Sequence, residues 1–331
     1  MTIINGIEID IPGATLDDIR SAIMNNDPID DVLHVIAVIS NPCQFARRYI
    51  LAREFLSRME LEQNVRVYMV ELAYGDQQFY VTDKKNPRHL QIRGQTPLWH
   101  KENMINMGVR LLPKGWKAMA WIDADIEFDN TCWAMDTLKV LNGCRDVVQL
   151  FSHAVDMNKQ MEAMSIFPSF SYQYTKGRRY GTGINMWHPG YAWACTRKAY
   201  ERMGGLYDIS ILGAGDHCMA FAFVGLPDRG LNQMTTDGYK ETIRAFHKRI
   251  GHLRLGYVPG VIRHHFHGAK KNRKYHERWQ ILITNGYDPY LHVTTNADGL
   301  LVPTDECPRA MLDQIMAYFA ERNEDEGYKD G

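Results

Sequence analysis

Residues 32–40, Val-Leu-His-Val-Ile-Ala-Val-Ile-Ser, form an almost unbroken apolar run that stops on Asn41-Pro42. A strand with one wet face alternates apolar and polar residues. A continuous run suits a central parallel strand covered on both faces, and its polar stop is where a ligand-binding loop begins. Ile50, Leu51, Phe55 and Met59 then recur at helical intervals, and Val65-Arg-Val-Tyr-Met-Val-Glu-Leu72 supplies a second run. Strand, helix, strand in that order predicts a right-handed crossover, and so an α/β class with a mostly parallel central sheet flanked by helices. The 331 residues suffice for one large domain of this kind or two modest ones.

The pattern continues along the chain. Lys101 to Gly108 reads as a helix, Lys117-Ala-Met-Ala-Trp-Ile122 as a strand running directly onto Asp123-Ala-Asp125, and Asp146 to Phe151 as another strand. From Met157 to Pro189 the periodicity breaks into aromatic, glycine and basic residues, among them Tyr172, Tyr174, Lys176-Gly-Arg-Arg-Tyr180 and Trp187. A long irregular stretch inside a domain points to a substrate lid or binding loop. Order returns with a short strand at Tyr191–Cys195, a helix from Lys198 to Met203 stopped by Gly204-Gly205, and a buried helix Asp216–Val224 after Gly213-Ala-Gly215. Val261-Ile-Arg-His-His-Phe-His267-Gly268 follows, leading into a basic helix from Lys270 to Ile283.

At the N-terminus an alternating segment, Ile7 to Ile11, precedes Pro12-Gly13 and a helix capped by Thr15, whose Leu16, Ile19 and Ile23 share a face. The expected organisation is an extension over 1–30 packed on the core, a core over 31–285, and a C-terminal extension over 286–331. The acidic end of that extension, Glu321 to Gly331, reads as frayed or solvated.

Composition narrows the function. The 38 Lys and Arg against 39 Asp and Glu leave a net charge of −1, so nothing global draws the chain to nucleic acid or an anionic membrane. Any charged ligand must be held by a local cluster. Six cysteines without paired short spacing read as free thiols in a reducing compartment. No stretch approaches the roughly 18 to 20 apolar residues of a membrane span, and a cytoplasmic protein is the expectation.

The local chemistry centres on Asp123-Ala124-Asp125. Carboxylates at the end of a parallel strand project into the crevice where open α/β sheets bind ligands, and two of them near an apolar sheet edge require a cation. A divalent ion bridging to phosphate oxygens satisfies that requirement; a solvated loop or helix cap is the bland alternative. Arg263-His264-His265-Phe266-His267 adds imidazoles, and Lys270, Lys271, Arg273 and Lys274 add positive charge suited to phosphates. A tetrahedral zinc site and a nucleic-acid groove are weaker readings of the same residues. In an extended strand His265 and His267 share one face and His264 takes the other, unless a turn before Gly268 changes the geometry.

With these motifs in hand, residues 32–285 resemble the nucleotide-sugar glycosyltransferases of the GT-A class, nearest in likeness to the β-1,4-galactosyltransferase-like group and its uncharacterised viral and bacterial relatives. Asp123-Ala-Asp125 resembles the metal-binding acidic motif, and Trp99-His-Lys-Glu-Asn-Met-Ile-Asn106 a segment lying against the nucleotide sugar. Gly213-Ala-Gly-Asp216 resembles the stretch with the catalytic acidic residue, and Ile262-Arg-His264 the segment giving a histidine ligand. The group's Trp-Gly-Trp before a Glu-Asp pair reads here Ile211-Leu-Gly213-Ala-Gly215-Asp216, with one carboxylate instead of two.

The resemblance implies a GT-A fold and a Mn²⁺- or Mg²⁺-dependent, inverting transfer from a nucleoside-diphosphate sugar, UDP-linked, to a glycan, glycoconjugate or other hydroxyl acceptor. It makes Asp125 the first metal ligand, Asp123 a ribose or metal contact, His264 the histidine ligand with His267 second, and Asp216 the base. Ser40, Asn41, Pro42 and Glu71 are candidates for base and ribose contacts, Lys101 and Asn106 for the diphosphate or sugar, and Lys271 and Arg273 for the departing diphosphate. Trp187, His188, Gly190 and Gly215 are candidate substrate contacts, with Tyr172, Tyr174, Tyr180 and Trp193 as further aromatics that stack on sugars or build core. A nucleotidyltransferase, such as a nucleotide-sugar pyrophosphorylase, and a non-catalytic binding module are the competing functions.

Overall fold

A computed structural model describes residues 2–10, 14–24, 27–181 and 186–326. The chain opens with a hairpin, β1 (Ile3–Ile4) and β2 (Ile7–Glu8), and helix α1 (Leu16–Met24). It continues through β3 (Leu33–Ser40), α2 (Ala46–Leu61), β4 (Val65–Tyr74), β5 (His89–Gly94), α3 (Lys101–Val109), β6 (Ala118–Ile122), β7 (Ile126–Phe128), α4 (Trp133–Val140) and β8 (Val147–Gln149). Next come β9 (His153–Met157), β10 (Ala163–Pro168), α5 (Phe170–Thr175), β11 (Ala192–Thr196), α6 (Arg197–Met203), α7 (Gly215–Phe223), α8 (Asp237–Ile250), β12 (Leu255–Tyr257) and β13 (Val261–His264). The last elements are α9 (Arg278–Thr284), α10 (Pro289–His292), β14 (Val293–Thr295), β15 (Leu301–Pro303) and α11 (Arg309–Glu321).

Seven strands form the main sheet in the order β12-β8-β11-β6-β3-β4-β5. The pairs among β6, β3, β4 and β5 are parallel, and β12 is parallel to β8, while β11 runs against both β6 and β8. The unbroken apolar run is explained by two cores. Leu33, Val35, Ala37 and Ile39 of β3 pack with Ala52, Phe55 and Met59 of α2, whereas Ile36 on the other face joins Met104 and Met107 of α3. Helix α3 approaches closely because Gly108 lacks a side chain: a Cβ there would lie 2.8 Å from Ile36 Cγ2 and 3.0 Å from Val70 Cγ2.

A second sheet, β10-β9-β13-β7, positions the chemistry. Strand β7 leaves β6 directly after the acidic pair and takes β13 as an antiparallel partner, aligning His264 with Ile126. Strand β13 also runs parallel to β9, aligning His264 with Asp156. The register therefore sets one imidazole beside both the acidic turn and a buried carboxylate.

Several expectations change. The Leu16, Ile19 and Ile23 face of α1 is not its packed face, since Leu16 is 71% and Ile23 59% exposed. The N-terminal piece instead joins the core through Ile7 and Ala22 against Cys144, and through Glu8 with Lys176 and Tyr257. Thr15 does cap α1, its Oγ1 accepting from Asp18 N at 3.1 Å; Pro12-Gly13 lies outside the described residues. The stretch 157–189 holds a strand hairpin and α5, so it is not irregular throughout. The basic helix expected over 270–283 is a short 3₁₀ turn, Lys270–Arg273, then a break at Lys274 with φ +42° before α9. The acidic end is buried over its first residues: Arg322 and Glu324 are enclosed, and only the part beyond 326 lies outside the described residues.

Gly108→Val tests the close α3 approach. We expect the unfolding free energy to fall by about 1–3 kcal/mol from overpacking, measured by urea denaturation.

Candidate active site

A cleft of about 1000 Å³ opens at the carboxyl ends of β3 and β6, a volume at the top of the usual range for small-molecule sites. Its walls carry Asp123, Asp125, Glu102 and Asp216, faced by cations that include Arg48, Lys101, Lys271, Arg273 and Arg278. A cleft with carboxylates at its base and a cationic rim is built for a cation and an anion together.

Asp125, His264 and His267 bring three ligand atoms within 4.8 Å of one another. His267 Nε2 lies 2.9 Å and His264 Nε2 3.9 Å from Asp125 Oδ2, and the two Nε2 atoms are 3.2 Å apart. Their outer nitrogens face carboxylates: His264 Nδ1 is 2.8 Å from Asp156 Oδ1, and His267 Nδ1 is 3.4 Å from Glu324 Oε2. Protons held at Nδ1 leave both Nε2 lone pairs converging on an anionic oxygen, an arrangement that needs a cation. Asp125 Oδ1 is buried with no hydrogen-bond partner among the described residues, which leaves a further ligand atom available.

Burial opposes ionisation of Asp125, yet His267 and His264 in their protonated forms, with Arg273, outweigh it and hold the carboxyl far below its usual range, the positive charge that a metal ion between neutral rings would replace. Arg273 also donates to His267 Nε2 at 2.7 Å. The residues thus fit a divalent ion of the Mn²⁺ type, which accepts mixed imidazole and carboxylate ligands more readily than Mg²⁺. His265 does not belong to this group: the strand ends at His264, a turn brings His267 round to the same side, and His265 Nε2 points to Glu127 at 3.5 Å.

A second cluster lies beside the first. Asp123 stands apart from the three ligands and pairs with Lys101 at 2.5 Å. Burial alone lowers the Lys101 ammonium, but Asp123, Asp216 and Glu102 hold it above its ordinary value. Asp216 begins α7, its Oδ1 accepting from His217 N at 2.7 Å. Burial raises its carboxyl, and Lys101, with the His217 N–H, more than reverses that shift, so it stays ionised. His188, half-buried and stacked on Tyr191 with ring centroids 4.3 Å apart, is neutral, its pKa driven down to about 3 by desolvation.

Glycines permit these approaches. A Cβ at Gly190 would lie 3.0 Å from both Asp216 Oδ2 and His188 Cε1, and one at Gly215 2.5 Å from the Glu102 carboxyl carbon. Glu102 is 2% exposed, and burial, opposed by Lys101 and reinforced by Asp216, pushes its carboxyl up to about 8. Helix α3 therefore sets a neutral carboxyl beside the ionised Asp216.

No family model matches the chain, and a search of curated proteins finds no sequence match. Among solved structures, the catalytic domain of Drosophila β1,4-galactosyltransferase 7 in complex with xylobiose matches at 10% identity and a TM-score of 0.35, over 69% of this chain and 65% of that one. A mutant of the Drosophila enzyme, complexed with manganese, UDP-Gal and xylobiose, matches at 12% identity and 0.33 over the same shares. The chain thus spans less than two-thirds of those structures. A candidate nucleotide-diphospho-sugar transferase from Desulfovibrio desulfuricans G20 matches at 10% identity and 0.32, over 87% of this chain and 97% of that one. At these identities and TM-scores the functional reading rests on the residues themselves.

Of the residues singled out in the sequence, Ser40, Pro42, Lys101, Asp123, Asp125, Trp187, His188, Gly190, Asp216, His264, His267, Lys271 and Arg273 line the cleft, and Gly215 adjoins it beside Glu102. Three do not reach it. Asn41 turns back on α2, bonding Phe45 N at 3.0 Å and Phe45 O at 2.8 Å. Asn106 holds the 205–208 loop through Leu206 N, Leu206 O and Asp208. Glu71 accepts from the backbone N–H groups of Tyr80, Val81 and Thr82 and from the Thr82 hydroxyl, at 2.7–3.0 Å. Each is a polar residue at an element's edge that satisfies loop backbone instead of ligand.

The aromatics divide similarly. Tyr180 lines the cleft with Trp187, whereas Tyr172 packs on His153 and Tyr257, Tyr174 lies outside, and Trp193 stacks on Trp121 in the core. Glu102, Asp156, Arg48, Arg278 and Glu324 were not singled out. Only Asp156 carried a signal, as a lone carboxylate inside the strand His153-Ala-Val-Asp-Met157.

Glu71→Ala separates scaffold from binding at this end of the sheet. It orphans four donors, and we expect the unfolding free energy to drop by about 2–4 kcal/mol in urea denaturation, with nucleotide affinity of the folded protein unchanged.

Proposed function

We propose that the chain is a divalent-metal-dependent glycosyltransferase that transfers a sugar from a nucleoside-diphosphate sugar, with UDP the expected nucleotide, to a hydroxyl of a glycan or other acceptor, with inversion. The observation that carries this reading is the convergence of Asp125, His264 and His267 in the cleft that also holds Asp216 and a cationic rim. A bound Mn²⁺ would neutralise charge on the diphosphate as a Lewis acid.

The chain's own residues supply the rest. Asp216, ionised and held by the His217 N–H, takes the proton of the acceptor hydroxyl at its carboxylate. The freed oxygen bonds the anomeric carbon as the bond from that carbon to the diphosphate oxygen breaks, the electron pair leaving with the nucleoside diphosphate. Lys101 faces both Asp123 and Asp216, and with Lys271 and Arg273 it offsets the negative charge gathered around the departing group. Ser40 and Pro42 offer the nucleotide a floor at the end of β3, and Tyr180, Trp187 and His188 offer flat faces for a sugar.

The direct test is mass-spectrometric detection of donor hydrolysis across a panel of nucleotide sugars, with Mn²⁺ and again with chelator. Hydrolysis of a donor only with metal is expected, and Asp125→Ala is expected to reduce it more than about 100-fold with the thermal unfolding transition retained. Normal turnover by that variant would sink the metal assignment. Formation of a nucleoside triphosphate from the nucleotide sugar and pyrophosphate would favour a nucleotidyltransferase instead.

Glu102 sets the alkaline limb. Its carboxyl is neutral below about pH 8 and ionises above it, placing a second negative charge beside Asp216. We expect turnover to fall as pH rises through about 8, and Glu102→Gln, which cannot ionise, to flatten that fall in a pH–rate profile.

A further inference from the structure

We propose that residues 322–326, which follow α11 and bring Arg322 to the cleft wall, belong to the metal centre, and that Glu324 is the positioning residue that holds the His267 ring with Nε2 turned toward the ion. The inference rests on the metal-dependent reading above and adds a residue far from its histidine in the chain.

Glu324 is 1% exposed. Its Oε1 accepts from Arg322 Nε at 2.7 Å and from Arg48 at 3.2 Å. Its Oε2 lies 3.4 Å from His267 Nδ1, an ion-pair distance, and makes no hydrogen bond among the described residues. Two arginines would satisfy an anchoring carboxylate from any side; here they grip one oxygen and leave the other aimed at an imidazole. A carboxylate at Nδ1 fixes the tautomer and strengthens the opposite nitrogen as a ligand. Asp156 stands at the corresponding nitrogen of His264 and is hydrogen-bonded to it at 2.8 Å, a tighter version of the Glu324 contact. Each histidine therefore has its own carboxylate, one from β9 and one from the strap.

The strap is held independently of that contact. Asp325 accepts from the Ala46 and Arg47 N–H groups at the start of α2, at 3.0 and 2.9 Å. Asn272 donates to Glu326 at 2.8 Å, and the Arg322 guanidinium sits 5.0 Å over the Trp99 ring. The loop carrying His267 packs directly on the strap: a Cβ at Gly268, whose φ is +84°, would lie 3.0 Å from Glu324 Cα and 3.1 Å from Asn323 O. The backbone is thus fixed on both sides of the carboxylate, leaving the Glu324 charge itself to act on His267.

The experiment is Mn²⁺ binding to the full chain, read by electron paramagnetic resonance of the free ion, with the Co²⁺ absorption spectrum as a second readout. Glu324→Gln keeps shape and removes charge; we expect Mn²⁺ affinity to fall about 10- to 100-fold, the Co²⁺ bands to shift, and Glu324→Asp to restore part of the affinity. Unchanged affinity in a folded Glu324→Gln, or a loss in the folded variant with no rescue by aspartate, would overturn the proposal. Absence of Mn²⁺ or Co²⁺ binding by the unaltered chain would overturn the metal reading beneath it, a separate failure. Should the variants not fold, ring-nitrogen NMR of the unaltered metal-free protein decides: His267 protonated at Nδ1 supports the role, and protonation at Nε2 alone refutes it.

Discussion

Two carboxylates leave the end of β6 one residue apart, and burial works against the charge of both. Asp123 is compensated by the ammonium of Lys101, whereas Asp125 is compensated by two imidazoles and a guanidinium. The separation matters because like charges so close cannot both persist in a cleft without separate partners. It ties the acidic turn to α3 on one side and to the loop after β13 on the other. The smaller sheet, whose register aligns β7, β13 and β9, exists in a position to deliver that second set of partners.

The same division separates two kinds of work. Around Asp125 the imidazole and guanidinium contacts favour charge; around Asp216 the environment splits two carboxyls, leaving one ionised and Glu102 neutral. A neutral carboxyl can donate a hydrogen bond where a carboxylate only accepts. The cleft therefore offers a base and a donor from different elements, brought together because Gly215 has no side chain to keep α3 away.

Elements formed from local periodicity were legible: β3, β4, β6, α2, α3 and α7 lie within a few residues of their expected bounds, because their apolar faces match the two core layers. The acidic pair and the histidine segment were legible as chemistry, but the choice among three histidines was not. Strand alternation paired His265 with His267; the strand ends at His264, and the turn before Gly268 reverses that pairing. Glu71, Asn41 and Asn106 looked available because they sit at strand and helix edges, and nothing local told that loop N–H and C=O groups would claim them. Glu324 was invisible for a different reason. Its acidic neighbourhood reads as solvated, and its partners Arg48 and His267 are far away in sequence.

Long-range closure has a consequence for the order in which the molecule is made. Asp325 seals the start of α2 across 279 residues of chain, against the first crossover of the sheet. A nascent chain can build that crossover as soon as β4 emerges, yet the start of α2 and the His267 ring wait for residues 324 and 325. Until then His267 lacks the carboxylate of Glu324 beside it. Assembly of the sheet and completion of the cleft are thus separated in time, the second waiting on residues 324 and 325.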